Sequence, residues 1–198
     1  MTKNYDQIFQ IETGNQGVIY EENPNDSPYE ATPYSFIERC FNELKITAQD
    51  QLVDYGSGKG RLLFYAHHRF HMKVIGVEKD RHLHEIAKKN KAIYGESHPK
   101  GKSEIILLNQ SAEDYEVHRE DTIFYFFNPF SLSVFDQVLQ KIQASRKQDE
   151  RDLTLIFYYP RQKYIDYLLD TAFEIDKEIL IPGLSRLNPD ERFLVYRG

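Results

Sequence analysis

The stretch Leu52-Val-Asp-Tyr-Gly-Ser-Gly-Lys-Gly-Arg61 decides the fold. A short apolar run ends in Asp54, a turn carries glycine at alternate positions (Gly56, Gly58, Gly60), and a helical pattern opens at once. Glycine accepts positive φ and lets a ligand lie against bare backbone, while the first turn of a helix presents unpaired N–H groups. The glycines cost chain entropy that a turn with nothing to hold need not incur, so this is a ligand-binding turn between a strand and a helix.

Outward from this unit, apolar runs alternate with helical stretches. Strands are predicted at residues 51–55, 73–78, 104–108, 122–127 and 153–159, and helices at 61–70, 81–94, 132–144 and 164–169. Two further strands, 173–181 and 192–196, close the chain around a loop containing Pro182, Gly183 and Pro189. Ahead of the glycine turn, Tyr34, Ile37, Phe41 and Leu44 recur at steps of three and four behind Pro33, the spacing of an amphipathic helix. Residues 123–127 and 155–159 are apolar or aromatic on both faces, as in strands covered by helices on both sides. The expected architecture is an α/β fold, a three-layer α/β/α sandwich with a mostly parallel seven-stranded sheet whose last strand is antiparallel. Ligands in such a sheet bind beyond the carboxyl ends of the strands. Residues 33–198 read as one domain, and residues 1–32 as an irregular, turn-rich N-terminal segment with room for one short element.

At 198 residues, with about 150 residues per domain as a guide, two full domains are not expected. Hydrophobic residues make up 40% of the chain, enough for a core, which excludes a disordered chain. Cys40 is the single cysteine, so no internal disulfide or cysteine cage forms, and a reducing, cytoplasmic setting is expected. The N-terminus has neither the basic start nor the apolar stretch of a signal peptide, and no run approaches the roughly 18 apolar residues of a membrane span. The formal charge of −6 repels polyanions, so nucleic acid is not a favoured partner; Lys88, Lys89, Lys91, Lys100 and Lys102 read as a solvated face.

Two common nucleotide signatures fail on spacing. A dinucleotide fingerprint requires glycine at position 61, where Arg61 stands. Gly101-Lys-Ser103 leads into a strand, and the nearest preceding glycine, Gly95, is one residue too far away for a P-loop.

Asp54-x-Gly56-x-Gly58-x-Gly60 resembles the first motif of class I, Rossmann-like S-adenosylmethionine-dependent methyltransferases. The resemblance continues at successive strand ends: Val74-Ile-Gly-Val-Glu78, Asn109-Gln-Ser-Ala-Glu-Asp114 and Phe126-Phe-Asn-Pro-Phe130. Asp54-Tyr-Gly-Ser-Gly-Lys-Gly, Gly76-Val-Glu and Phe127-Asn-Pro-Phe also resemble the non-SET histone-lysine methyltransferases and small bacterial relatives of them. That match lies in the cofactor motifs, and nothing in this acidic chain resembles a nucleosome-binding extension.

The resemblance implies S-adenosylmethionine as cofactor and S-adenosylhomocysteine as product. Asp54 would hold the ammonium of the donor, the backbone from Tyr55 through Gly56, Ser57, Gly58 and Gly60 would pass beneath its methionine part, and Glu78, followed by Lys79, would bind the ribose. A carboxylate's two oxygens match a vicinal diol. Ser111 and Ala112 would flank the adenine, Ser111 standing where many relatives carry an acid. Asn128 is expected beside the methyl group, as a catalytic residue and donor contact, with Phe130 walling the acceptor pocket. The motif is one proline short of the Asn-Pro-Pro-aromatic of adenine and glutamine methyltransferases, which argues against a planar amide acceptor.

Relatives fold the segment corresponding to Tyr29-Glu-Ala-Thr-Pro-Tyr34 over the cofactor. Tyr29 or Tyr34 is then an aromatic cap; alternatively Tyr34 packs as the first buried turn of its helix. Tyr158-Tyr-Pro160 faces the same rim as Asn128 and either shapes the pocket or packs in the core. His67 and His71 stand one helical turn apart, but no acid completes a ligand set, and no metal is expected. The expected function is methyl transfer to a nitrogen of a small molecule or protein side chain. A non-catalytic S-adenosylmethionine-binding sensor or partner subunit is the alternative, and a nucleotide-sugar or dinucleotide enzyme a third. The oligomeric state is not legible.

Overall fold

Gln51–Tyr55 (β1) is buried along its whole length, as a strand between two others and between two helical layers must be. The structure, a computed structural model, describes residues 3–14, 29–128 and 130–198. Beside β1 the sheet contains β2 (Lys73–Val77), β3 (Ile105–Leu108), β4 (Ile123–Phe126), β5 (Thr154–Tyr158), β6 (Glu174–Leu180) and β7 (Arg192–Arg197). Its seven strands lie in the order β3-β2-β1-β4-β5-β7-β6. The pairs β1–β2, β1–β4, β2–β3 and β4–β5 are parallel, and β7 runs antiparallel between β5 and β6. This is the α/β sandwich the alternation predicts, antiparallel last strand included.

The helices are α1 (Tyr5–Phe9), α2 (Tyr34–Asn42), α3 (Arg61–Phe70), α4 (Arg81–Ser97), α5 (Gly101–Glu104), α6 (Leu132–Gln148) and α7 (Gln162–Leu168). Strand side chains alternate between two cores. Leu52, Val74, Ile123, Tyr125, Ile156 and Tyr158 pack with α1, α2 and α3 on one face. Val53, Tyr55, Ile75, Phe124, Phe126 and Phe157 pack with α6 and α7 on the other. Side chains cap two helices at the carboxyl end of the sheet: Asp80 accepts the Leu83 amide at 2.9 Å, and Ser131 the Val134 amide at 3.4 Å.

Several boundaries differ from the predicted ones. Glu104 closes α5 instead of opening β3, because the turn after Pro99 winds into one helical turn, with the Glu104 amide on the Lys100 carbonyl at 2.9 Å. Helices α4 and α6 run on to Ser97 and Gln148. The N-terminal lead-in contains α1, whose Tyr5 and Phe9, with Ile11, are buried in the same core as α2 and α3. A helix of 5 residues is too short to show a period in sequence. Residues 15–28, within the irregular N-terminal segment, lie outside the described residues.

Candidate functional site

The glycine turn is stitched to the ends of three strands. The Gly56 and Ser57 amides both donate to the Val77 carbonyl, at 2.9 and 3.2 Å, folding the turn back onto β2. Glu78, the next residue, accepts the Gly58 amide on Oε2 and the Asp80 amide on Oε1, each at 2.8 Å. The Glu78 amide in turn donates to the Leu108 carbonyl at 3.0 Å, and the Asn109 side-chain amide donates to the carbonyls of Glu78 and Lys79 at 2.8 and 3.1 Å. Asp54, the turn, Glu78 and the segment leading to Ser111 are thereby gathered along the carboxyl edge of β1, β2 and β3, where an open α/β sheet binds ligands.

The electrostatics of this edge point to a cationic ligand. Asp54 is buried, and among the described residues its carboxylate accepts no hydrogen bond. Burial, and after it the charge of Glu78, push its carboxyl up to about 8. Burial pushes Glu78 up as well, opposed by the amides of Asp80 and Gly58. A buried carboxylate with no donor among the described residues is costly by itself and fits a ligand ammonium. The two backbone amides on Glu78 fix the carboxylate and leave one lone pair on each oxygen, which suits a pair of adjacent hydroxyls. The residues present therefore fit the donor implied by the sequence motifs.

Asp54 lines a small cavity of about 30 Å³ with Gly56, Ser57, Tyr125, Phe127 and Arg61, roofed by Tyr29–Thr32. Tyr29 is the aromatic residue that reaches the turn. An ideal Cβ on Gly58, whose φ is +53°, would stand 2.1 Å from the Tyr29 ring, so only glycine admits this contact. Thr32 Oγ1 and the Tyr125 hydroxyl are 2.8 Å apart. Tyr34 packs as the first buried turn of α2: its hydroxyl donates to Asp6 at 2.6 Å and its ring lies under the Arg61 guanidinium. Tyr34 does not line this cavity, and its packing follows the second of the two expectations for it, whereas Tyr29 lies on the turn.

The other expected residues separate by sheet face. Gly60, at φ +89°, N-caps α3, and its amide donates to the Ser57 carbonyl at 2.9 Å. Tyr55 contributes backbone to the turn, while its ring stacks on Phe126 at 5.3 Å in the opposite core. Lys79 is exposed at the rim beyond Glu78. Ser111 N-caps a short 3-10 turn, Ala112–Asp114, and Ala112 packs against the α6-side core. Asn128 is half-buried and left-handed, at φ +43°. Phe127 lines the cavity, whereas the Phe130 ring packs edge-on to Tyr55 and Phe126 on the other face. Tyr158 is buried and contacts the Phe127 ring at 4.6 Å, and Tyr159 ends β5 in a left-handed conformation, φ +52°. Sequence reading passed over Lys59, Arg61, Phe127 and Asn109; a basic pair inside a glycine-rich turn was the available signal for the first two.

The histidines are engaged elsewhere. His67 bonds the Tyr94 hydroxyl at 2.7 Å and Glu104 at 3.0 Å, and His71 terminates α3 in a left-handed conformation.

Solved structures confirm the architecture. The chain is similar to an RNA methyltransferase from Salinibacter ruber in complex with S-adenosyl-L-homocysteine (19% identity, 85% of this chain and 92% of that chain, TM-score 0.54). It is similar to an rRNA methylase from Streptococcus thermophilus (13% identity, 82% and 90% coverage, TM-score 0.54). It is also similar to geranyl diphosphate C-methyltransferase from Streptomyces coelicolor A3(2), in complex with Mg2+, geranyl diphosphate and S-adenosyl-L-homocysteine (14% identity, 82% and 76% coverage, TM-score 0.55). No curated protein sequence matches the chain. Strand order, glycine turn and paired acids define a class I S-adenosylmethionine-dependent methyltransferase. Within that class, the family model "Histone methylation protein DOT1" matches residues 19–118, half of the chain, and the chain belongs to this family.

Proposed function

We propose that this protein transfers a methyl group from S-adenosylmethionine to a nitrogen of a small molecule or of a protein side chain, releasing S-adenosylhomocysteine. The observation that carries the donor assignment is Asp54, buried and accepting no hydrogen bond among the described residues, beside the amide-braced carboxylate of Glu78. In this reading Asp54 takes the ammonium and Glu78 the two ribose hydroxyls, with Lys79, Ser111 and Ala112 at the adenosine end. The turn from Tyr55 to Gly60 underlies the methionine part, and Tyr29–Thr32 covers it. The bound donor supplies an electrophilic methyl on sulfur.

A nitrogen acceptor is supported by the rim beyond β4 and β5. Phe127 and Glu30 line the same cavity, and the Phe127 ring is backed by the buried Tyr158, whose hydroxyl donates to Glu191 at 2.6 Å. Aromatic faces backed by carboxylates attract an amine and orient it. Asn128 accepts a hydrogen bond from the acceptor nitrogen or the donor's ammonium and so aligns the attack. The nitrogen lone pair forms the new C–N bond, the S–C bond breaks onto sulfur, and the acceptor's proton leaves to water. The protein contributes positioning and exclusion of solvent, with no covalent bond of its own.

The test is a tritiated-methyl survey with small-molecule, protein and RNA fractions of a cell extract. Label entering the small-molecule or protein fraction with wild type, and absent with Asp54→Asn, is expected. Label confined to RNA would overturn the acceptor assignment, and tight S-adenosylhomocysteine binding with no label in any fraction would make the protein a non-catalytic binder.

A further inference from the structure

The glycine-rich turn carries two cations where local electrostatics disfavours them. Lys59 precedes the N-cap of α3 and Arg61 is the first residue of that helix, at the positive end of its dipole. The Lys59 side chain is also completely buried, at 0% exposure, a costly position for an ammonium unless acceptors surround it.

The N-terminal segment supplies those acceptors. Lys59 Nζ donates to Glu12 Oε1 at 3.0 Å and to the Gly14 carbonyl at 2.7 Å, and lies 5.6 Å from the centre of the Tyr29 ring. Glu12 is 62% exposed and is a weak partner by itself; among the described residues the Gly14 carbonyl and the Tyr29 ring add to the enclosure of the charge. Arg61 Nε donates to Thr13 Oγ1 at 2.8 Å, its Nη2 lies 3.5 Å from Asp6 Oδ2, and its Nη1 reaches the carbonyls of Ala31 and Thr32 at 3.5 and 3.4 Å. The Tyr29 hydroxyl donates to the Thr13 carbonyl at 2.8 Å, joining the two stretches to each other. Asn90 of α4 completes the arrangement: its side-chain amide donates to the carbonyls of Glu12 and Lys59 at 2.9 and 3.1 Å and accepts the Glu12 amide at 3.1 Å. Residues 12–14 and 29–32 therefore form a strap tied down by side chains of the ligand-binding turn itself, and the Tyr29 ring of that strap lies on Gly58.

We infer that Lys59 and Arg61 are positioning residues that latch this strap over the donor site, so that entry and exit of the donor require the latch to open. The inference rests on the donor assignment above. Because the cations belong to the turn beneath the methionine part, strap closure and turn geometry are coupled: loosening one loosens the other.

The experiment uses the full chain and S-adenosylhomocysteine as probe. It measures the dissociation rate by stopped flow and amide hydrogen exchange at Glu12 and Thr13, whose N–H groups bond Asn90 and Asp6 within the strap. Lys59→Met, of similar length but uncharged, is expected to raise the dissociation rate at least about tenfold and to speed exchange at both amides, while Lys59→Arg stays within about threefold of wild type. Arg61→Lys, which keeps the charge but loses the fork that spans Thr13, Ala31 and Thr32, gives the same direction should Lys59→Met fail to fold. Unchanged exchange in both variants would overturn the latch. Faster exchange with an unchanged dissociation rate would overturn the gating. A wild-type chain that takes up no S-adenosylhomocysteine would overturn the donor assignment and the gating with it, while the exchange measurement would still report whether the latch exists.

Discussion

Glu78 reaches from the end of β2 to accept the Gly58 amide at 2.8 Å, so the acid proposed to grip the ribose also holds the middle of the glycine turn. In the proposed function one carboxylate would serve the fold and the ligand together. Glu78→Gln keeps the shape but presents an NH2 to one of the two backbone amides and to a hydroxyl. Losing charge-assisted hydrogen bonds costs about 1.5–3 kcal/mol, so affinity for S-adenosylhomocysteine should fall by roughly 10- to 150-fold, read by isothermal titration.

Asp54 should make both stability and ligand affinity pH-dependent, in opposite directions. Burial, and after it the charge of Glu78, push its carboxyl up to about 8 in the folded chain from an ordinary 3.8. Between those values the folded state binds more protons than the unfolded one, so stability without ligand should fall as pH rises through this window. An ammonium ligand needs the ionised acid, so S-adenosylhomocysteine should bind more tightly as pH rises toward 8 and should release protons on binding. Thermal melts and titrations in buffers of different ionisation enthalpy would read both, and Asp54→Asn should flatten both slopes.

Asn128 occupies a left-handed conformation that asparagine tolerates and alanine does not. Asn128→Ala should lose about 1–2 kcal/mol of stability from the backbone alone, whereas Asn128→Gly should hold stability near wild type. If the side chain aligns the acceptor, both variants should lose turnover by about 100-fold or more while S-adenosylhomocysteine affinity stays within a few fold. Full turnover in Asn128→Gly would remove the catalytic assignment.

The contact between Gly58 and Tyr29 invites a double-mutant cycle. Gly58→Ala drives a methyl into the Tyr29 ring and strains a residue at φ +53°. In a Tyr29→Ala background the steric part should vanish, leaving the backbone cost of about 1–2 kcal/mol. Equal costs in the two backgrounds, measured by chemical denaturation, would show that the ring does not press on the turn.

The fold was legible because its signals are local. The apolar runs of β1, β4 and β5, the glycine turn and the spacing of α2 and α3 each lie within ten residues or so, and α3 spans Arg61–Phe70 as predicted. Short elements escaped: α1 and α5 are too brief for periodicity, and they form because Tyr5 and Phe9 find a core and because the chain turns after Pro99.

Within the site, Asp54, Gly56, Gly58 and Glu78 declared themselves as strand ends and turn residues in sequence. Which aromatic side chain lines the cavity did not. The left-handed turn at Asn128 breaks the two-residue alternation, so nothing in the order Phe127-Asn-Pro-Phe130 says that Phe127 falls on the cavity side and Phe130 against Tyr55. Which of the two uses open to Tyr34 is taken was also not legible: Asp6, 28 residues away, accepts its hydroxyl, while the Tyr29 ring lies on Gly58. The amino-acid order thus determined the strand–turn–helix grammar and the acids that close β1 and the turn after β2, since these depend on neighbours along the chain. The strap, its two latching cations and the face each ring presents were decided by tertiary structure alone, since their partners lie about 15 to 50 positions away and meet only once the sheet has formed.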